Sequence, residues 1–278
     1  MIVQHNMSAL NTNRQLGMTT SALASATEKL SSGYRINRAS DDAAGLSISE
    51  KMRGQIRGLE QASRNASDGI SLIQTAEGAL NEIHSIVQRM RELTVQAAND
   101  TNVSTDRVAI AAELYALTSE ITRIAGETEF NTMKVLDGSF KDKHFQVGAN
   151  EKQMIDISIK KMSAEAIGLS SAAIGGVVAD NSKSAKDISA LIEKIDKALS
   201  SVSTQRSSLG AIQNRLEHTI ANADNVAENL TAAESRIRDV DMADQMVQYS
   251  KYNILQQAGQ SMLAQANQST QGVMNLLG

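Results

Sequence analysis

The sequence predicts a mainly α-helical fold, an elongated coiled-coil bundle of long antiparallel helices, and three observations support this. The 278 residues include no proline, the strongest helix breaker, although ordinary usage would give roughly 14. Aromatic residues make up 3% of the chain, so the core must consist of aliphatic and methionine side chains. Apolar residues recur about every 3.5 positions over long stretches, the pattern of helices that pack against partner helices.

The first predicted helix has apolar residues spaced by seven, which form one narrow stripe on its surface. These residues are Ile2, Ala9, Leu16, Leu23 and Leu30. The helix is expected to end at Gly33, because glycine commonly follows the last helical turn. After a short connector, Asp41 and Asp42 offer N-cap oxygens for the next helix.

Two long helices and a shorter one are predicted to form the body of the molecule. The first begins near Ala43 and runs to about Ala98, and its apolar stripe between Leu59 and Thr94 has a period of 3.5 residues. A similar stripe runs from Ile188 to Val240, interrupted at Arg206. Residues 106–126 form a shorter amphipathic pattern. Since each stripe needs a partner, the three helices are expected to close a bundle.

The middle of the chain changes from helical to strand periodicity. Alternation at Phe145 and Val147, and again at Ile155, Ile157 and Ile159, predicts short strands within residues 132–160. Turns are expected at 137–138 and 148–150. Residues 161–185 are expected to form a short loop, with the glycine pair at 175–176 inside it.

The last 38 residues, 241–278, are predicted to form a sparsely charged helix that requires a partner. They contain eight glutamines and three charged residues, Asp241, Asp244 and Lys251. An isolated helix of this kind is only marginally stable in water. The helices predicted at the two chain ends are therefore expected to form an interaction surface.

Several function classes lack the residues that they require. The absence of cysteine excludes thiol, disulfide and iron–sulfur chemistry. The four histidines lie far apart, no phosphate loop or nucleophile elbow occurs, and we expect neither an enzyme nor a cofactor. A net charge of −4 argues against nucleic-acid binding, and no apolar run is long enough for a membrane span. Residues 1–17 lack the pattern of a secretory leader.

The tract 88–96, QRMRELTVQ, places Arg89, Leu93 and Gln96 on one helical strip by their spacing. From spacing alone, an ordinary solvated helix face is the favoured interpretation.

Long tracts at both ends resemble bacterial flagellin, the subunit of the flagellar filament. They include EKLSSGYRIN at 28–37, DDAAGL at 41–46, QASRNASDGI at 61–70, LGAIQNR at 209–215, ILQQAG at 254–259 and LAQANQ at 263–268. The resemblance covers roughly residues 1–160 and 185–278. Only about 25 residues stand where many flagellins carry variable outer domains.

The resemblance implies a structural protein of the extracellular bacterial flagellum. Residues 1–42 would pair with 238–278 as the inner layer of the filament, and residues 43–237 would form the next layer. Implied partners are further copies of the chain, the type III export apparatus with its chaperone, and the filament cap and junction proteins. The residues expected in polymerisation or chaperone binding are Leu16, Leu23, Leu30, Leu255, Met262, Leu263, Leu276 and Leu277.

The resemblance also implies recognition by host receptors. The residues that match the pattern bound by vertebrate Toll-like receptor 5 in many flagellins are Gln88, Arg89, Leu93, Gln96 and Glu113. The tail at 273–277, VMNLL, is similar to the segment detected by cytosolic inflammasome sensors.

Two other functions remain open at this stage. A hook–filament junction protein has related ends, but such proteins often carry a proline after the acidic pair, where this chain has Ala43 and Ala44. A soluble coiled-coil adaptor would use the same helices without polymerising. Electron microscopy separates these, since only flagellin is expected to form long filaments.

Overall fold

The computed structural model describes residues 6–180 and 185–277, with side chains for all of these except 173, 185 and 270–277. The helices are α1 (Met7–Ser32), α2 (Ala43–Ala97), α3 (Ser104–Glu127), α4 (Ser171–Ala179), α5 (Ala185–Arg238) and α6 (Met242–Leu277). The strands are β1 (Glu129–Phe130), β2 (Met133–Lys134), β3 (Lys143–Gln146) and β4 (Met154–Ile157). The predicted fold class, long helices with a small β region, is confirmed. The chain divides into unit 1 (Met1–Ile56 with Glu228–Gly278) and unit 2 (Arg57–Ala227).

Unit 1 contains an antiparallel pair of α1 and α6. Asn6 at the start of α1 donates from Nδ2 to the carbonyl of Ala266 late in α6, at 3.0 Å. Further along, a Cβ on Gly259 would lie 3.3 Å from Cδ1 of Leu16, so the two helices approach closely there. The half-buried residues of α6 that face this pairing are spaced by three and four, as in a coiled coil. The prediction that the terminal helices pair is therefore confirmed.

The predicted helix boundaries at the first connector are confirmed in detail. Gly33 has φ +72° and donates its N–H to the carbonyl of Lys29, which ends α1. The Asp42 carboxylate accepts the Gly45 N–H at 2.8 Å, so Asp42 is the N-cap of α2. Its neighbour Asp41 accepts the N–H groups of Asn37 and Arg38, at 3.1 and 2.9 Å, and stabilises the connector instead.

Backbone pairing joins this connector to the one between α5 and α6. The Arg35 N–H donates to the carbonyl of Arg238 at 2.7 Å, and the Val240 N–H donates to the carbonyl of Gly33 at 3.0 Å. The Arg238 guanidinium lies 4.7 Å from the centre of the Tyr34 ring, in cation–π contact. The α1–α2 connector and the α5–α6 connector are thus held together, which no sequence pattern indicated.

The core of unit 2 lies between α2, α3 and α5, as the apolar stripes predict. Side chains such as Ile83 and Val87 of α2, Leu114 of α3 and Ile195 of α5 are completely buried. Arg206, which interrupts the α5 stripe, is half-buried, and its Nη2 lies 3.6 Å from Oε1 of Glu77 on α2. At this one position of the α5 stripe, the contact between α5 and α2 is therefore made by an Arg–Glu pair and not by apolar side chains.

The β region consists of two antiparallel hairpins, β1–β2 and β3–β4. In the second, Lys143 lies opposite Ile157 and Gln146 opposite Met154, so the predicted turn at 148–150 falls within the connection. The predicted strand alternation extended to Ile159, but β4 ends at Ile157. Ile159 is still buried, and its N–H donates to the carbonyl of Phe140 at 2.8 Å.

The expected loop at the glycine pair is wrong, because residues 171–179 form α4. Gly175 lies against α3, and a Cβ there would be 2.7 Å from the Tyr115 ring. Ile174 and Val178 of α4 are buried in the core of unit 2. Gly175 therefore allows α4 to pack closely against α3.

Candidate functional site

The first candidate surface is the outside of the α1–α6 pair in unit 1, where large apolar side chains are exposed. On α1, Met7, Leu10 and Met18 are each at least 60% exposed. On α6, the exposed side chains are Met242, Met246, Val247, Ile254, Leu255 and Met262. Contiguous exposed apolar surface typically marks a site of protein interaction.

Charges are sparse on the same surface. Arg14 is the sole charged residue between positions 6 and 27, and no charged residue follows Lys251 in the described part of α6. Covering this surface would therefore remove apolar area from water with few charges to desolvate. Such an interface should form readily between uncharged, apolar partners.

The residues expected to act in polymerisation or chaperone binding fall into two groups. Leu16, Leu23, Leu30 and Leu263 are half-buried, and Leu16 lies where α1 and α6 approach closely at Gly259. Leu255 and Met262 are exposed and available to a partner. The side chains of Leu276 and Leu277 lie outside the described residues, as does the whole of Ile2.

A groove runs along one side of the α1–α6 pair, with a volume of about 410 Å³. Residues 11–19 of α1 and 255–262 of α6 line it, and none of the lining side chains is charged. Leu16 and Gly259 form part of its floor, while Leu255 and Met262 contribute exposed apolar walls. The side chains of Asn11 and Gln15 add amide groups on the α1 side.

The second candidate surface is the strip on α2 and α3 of unit 2. Arg89 donates from Nε and Nη2 to Oε1 of Glu113, at 3.1 and 3.0 Å, and from Nη1 to Oε2 of Glu92 at 3.1 Å. Hydrogen bonds from Glu113 and then Glu92 raise the pKa of the Arg89 guanidinium. Arg89 is thus held in one orientation although about half of its side chain is exposed.

The remaining residues of this strip are not all on the surface. Gln88 is exposed and its Nε2 lies 3.0 Å from Nε2 of His84, and Gln96 is exposed two turns further along α2. Leu93 is 2% exposed and packs in the core of unit 2. The expected surface position of Leu93 is therefore wrong, because α2 packs against partners on a wide arc that includes this residue.

Among the described residues, no group of three or more His, Asp or Glu side chains is placed to hold a metal ion. Within residues 6–180 and 185–277, no helix is both long and apolar enough to cross a bilayer. Of the histidines, His84 contacts Gln88, and Nδ1 of His144 lies 2.5 Å from Oδ1 of Asp156 across the β3–β4 hairpin.

Two family profiles match the chain. Residues 3–141 match the bacterial flagellin N-terminal helical region, and residues 192–277 match the bacterial flagellin C-terminal helical region. A flagellin of Halalkalibacterium halodurans is 56% identical over 277 residues, with all of both chains covered. The flagellar filament 33 kDa core protein of Treponema phagedenis is 48% identical over 287 residues, again with complete coverage of both chains.

A solved structure with a similar fold is that of a putative flagellar hook-associated protein from Vibrio parahaemolyticus. It matches with a TM-score of 0.62 and covers 72% of this chain and 100% of its own. The sequence identity is 13%, so this likeness concerns the fold alone.

Proposed function

The chain belongs to the bacterial flagellin family, and we propose that it is the structural subunit that polymerises into the extracellular flagellar filament for motility. The observation that carries this proposal is the exposed apolar surface of the α1–α6 pair, which bears few charges. Residues 1–42 with 238–278 would form the inner layer of the filament, and residues 43–237 the next layer.

Seeded growth tests the proposal. Purified chain added to short filament seeds should lengthen them in electron micrographs. Val247→Asp and Ile254→Asp place a charge on exposed apolar positions of α6 and should abolish growth, since the carboxylate would be buried between copies. Both variants should keep the helical circular dichroism of the unmodified chain. Growth at the normal rate by both variants would remove the support for this surface.

The alternatives predict different micrographs. A hook–filament junction protein would add a short segment to the seeds and then stop. A non-polymerising coiled-coil protein would leave the seeds unchanged. The 56% identity to a flagellin over the whole chain favours continuous growth.

Export before assembly is the next part of the proposal. We propose that the chain leaves the cell through the flagellar type III apparatus, and that a chaperone covers α6 beforehand. Leu255 and Met262 support this, because they are exposed and apolar in the free chain; Leu276 would join them. A purified chaperone should bind the full chain and lose at least tenfold affinity for Leu255→Asp with Met262→Asp. Equal affinity would contradict a chaperone site on this face.

The filament cap and junction proteins are proposed to contact the same α1–α6 surface, because they would occupy the position of a neighbouring copy. Val247→Asp should therefore weaken their binding along with filament growth.

The tail at 273–277 is proposed as the segment bound by cytosolic inflammasome sensors, and a chain truncated after residue 272 should fail to activate them.

Receptor recognition is proposed for the strip around Arg89. Gln88, Arg89, Gln96 and Glu113 would contact Toll-like receptor 5, with Leu93 packed behind them. The ion pairs support this role, because they hold the Arg89 guanidinium in a fixed orientation for a partner.

Arg89→Ala and Glu113→Ala monomers should each lose at least tenfold affinity for the receptor ectodomain. Arg123→Ala is the matched control, since Arg123 is also half-exposed and paired with two glutamates, Glu120 and Glu127, on α3. Leu93→Ala is unsuitable as a probe of the surface, because emptying a buried leucine site costs about 2 to 5 kcal/mol of stability. Equal losses in all three surface variants would argue against a specific site.

A further inference from the structure

Unit 2 contains a cavity formed by residues that belong to neither candidate surface. Its volume is about 420 Å³, within the roughly 300 to 1,000 Å³ typical of small-molecule sites. One face of α3, between Thr118 and Gly126, forms one wall. Asp137 after β2, the segment from Lys161 to Glu165 and the start of α4 complete the lining.

The walls of the cavity are fixed by backbone hydrogen bonds and by burial. The segment that joins β4 to α4 folds back on itself, because the Ile167 N–H donates to the carbonyl of Ser163 and the Leu169 N–H to that of Ala164, at 3.2 and 2.8 Å. Ser163 and Ala164 are buried, as is Thr118 on the α3 side. The cavity therefore keeps its shape without a ligand.

The α3 side and the turn after β2 offer hydrogen-bond acceptors. Thr118 Oγ1 donates to the carbonyl of Leu114 at 2.8 Å, and Thr122 Oγ1 donates to that of Thr118 at 3.1 Å. Each hydroxyl has a single proton, so these two oxygens can only accept from a ligand. Oδ1 of Asp137 accepts the hydroxyl and the N–H of Ser139, which lower the pKa of the Asp137 carboxyl and leave Oδ2 as a further acceptor.

The opposite side offers hydrogen-bond donors. Lys161 contributes an exposed ammonium group that forms no ion pair with any described residue. Ser163 Oγ accepts the Ala166 N–H at 3.4 Å, which leaves its own proton for another acceptor. Ser170 is the N-cap residue of α4, yet its side chain makes no capping hydrogen bond, so this hydroxyl remains available to a ligand.

The charges of the lining nearly cancel. Asp137 and Glu165 oppose Lys161, and the N-terminus of α4 adds a partial positive charge. An anion would meet two carboxylates, and a cation would meet the ammonium group and the helix end. The lining therefore favours an uncharged ligand that carries donors and acceptors close together, as neighbouring hydroxyl groups do.

We infer that this cavity binds a neutral monosaccharide. The sugar hydroxyls donate to the α3 oxygens and to Asp137, and accept from Lys161 and Ser170. The C–H groups of the ring lie against Ala125 and Gly126, where a Cβ on the glycine would meet no atom within 4 Å. This binding function is separate from filament assembly and is complete in one copy of the chain.

Titration of the full-length monomer with glucose, galactose and mannose tests the site, with backbone amides followed by nuclear magnetic resonance. At least one of these sugars should shift the amide signals of Gly126 and Ser171 in a saturable way. Lys161→Met removes the ammonium group but keeps a long side chain, and should weaken binding about tenfold. Lys160→Met is the matched control, since Lys160 is also exposed but lies outside the cavity, and it should leave the affinity unchanged.

A second variant removes an acceptor with little change of shape. Thr122→Val should weaken binding about threefold, because one neutral hydrogen bond is lost. Its helical circular dichroism should match that of the unmodified chain, since Thr122 is exposed on α3.

Three outcomes would overturn the sugar site and leave the filament function standing. The first is the absence of saturable shifts with all three sugars. The second is an equal loss of affinity in the Lys160 and Lys161 variants, which would indicate a general effect of charge. The third is saturable binding of inorganic phosphate without binding of a sugar, which would assign the cavity to anions.

Discussion

The adjacent carboxylates of Asp41 and Asp42, just before α2, have different structural roles. Asp42 accepts the Gly45 N–H and caps the helix, whereas Asp41 accepts two backbone N–H groups of the preceding connector. The hydrogen bonds from Arg38 and Asn37 lower the pKa of Asp41 from its ordinary value of 3.8. The order of the connector should therefore depend on the ionisation of this one residue.

Acid should loosen the connector through Asp41. Because its folded-state pKa is lowered, the stabilisation from its charge is fully present above about pH 4 and is lost as the pH falls through the folded-state pKa. The amide signals of Asn37 and Arg38, followed by nuclear magnetic resonance, should shift with a midpoint below 3.8. Asp41→Asn keeps an acceptor without the charge and should remove this transition. A midpoint at or above the ordinary value would contradict the proposed hydrogen bonds.

Leu93 marks the limit of what spacing predicts for single residues. Arg89 and Leu93 are four positions apart, so the sequence correctly places them on neighbouring parts of α2. Spacing does not give the width of the arc that α2 buries, and here that arc includes Leu93 but leaves Arg89 exposed. The pairing of Arg89 with Glu113, 24 residues away, depends on how α3 packs and had no signal except the family resemblance.

At the scale of elements, long helices were predictable and short contacts between them were not. The periodic stripes and the capping residues Gly33 and Asp42 defined α1, α2 and α5, because these signals are local. Helix α4 was missed because a glycine pair is typical of a loop, and only the Tyr115 ring on α3 explains why glycine is needed there. The pairing of the two connectors in unit 1 likewise joins residues some 200 positions apart.

Substitutions at the two glycines of α4 should act in opposite directions. Gly175→Ala puts a methyl group 2.7 Å from the Tyr115 ring and should lower the free energy of unfolding of unit 2 by about 1 to 3 kcal/mol. Gly176→Ala is the control, because its nearest atom, the Tyr115 hydroxyl oxygen, is 3.7 Å away. This change should instead stabilise the helix by up to about 1 kcal/mol through alanine's higher helix propensity.

Chemical denaturation of both variants measures these changes. Adding Tyr115→Ala should remove most of the difference between them, since the crowded ring is then absent. If Gly175→Ala and Gly176→Ala destabilised unit 2 to a similar degree, the Tyr115 ring would not be the reason that position 175 needs glycine.

At the scale of the whole molecule, the two units differ in how much core they possess. Unit 2 buries dozens of apolar side chains, from α2, α3, α4, α5 and the β region. In unit 1, the buried apolar side chains among the described residues are Ala26, Ile36 and Ala266, two of which are small. Since burial of apolar area is the dominant stabilising contribution, unit 1 should be the less stable part of a free subunit.

Amide exchange should reveal this difference and its removal by assembly. In the monomer, amides of α1 and α6 should exchange at least about 100-fold faster than those around Ile83 and Val87 in unit 2, because α1 and α6 open without disrupting a large core.

Burial of two further apolar side chains in the filament, at about 1.5 kcal/mol or more each, gives about 3 kcal/mol, or roughly 100-fold slower exchange. If Met7 and Leu10 supply that burial, α1 and α6 should gain this protection in filaments, while the core of unit 2 changes little. Leu10→Ala should retain part of the fast exchange in filaments, whereas full protection of this variant would assign the added stability to other contacts.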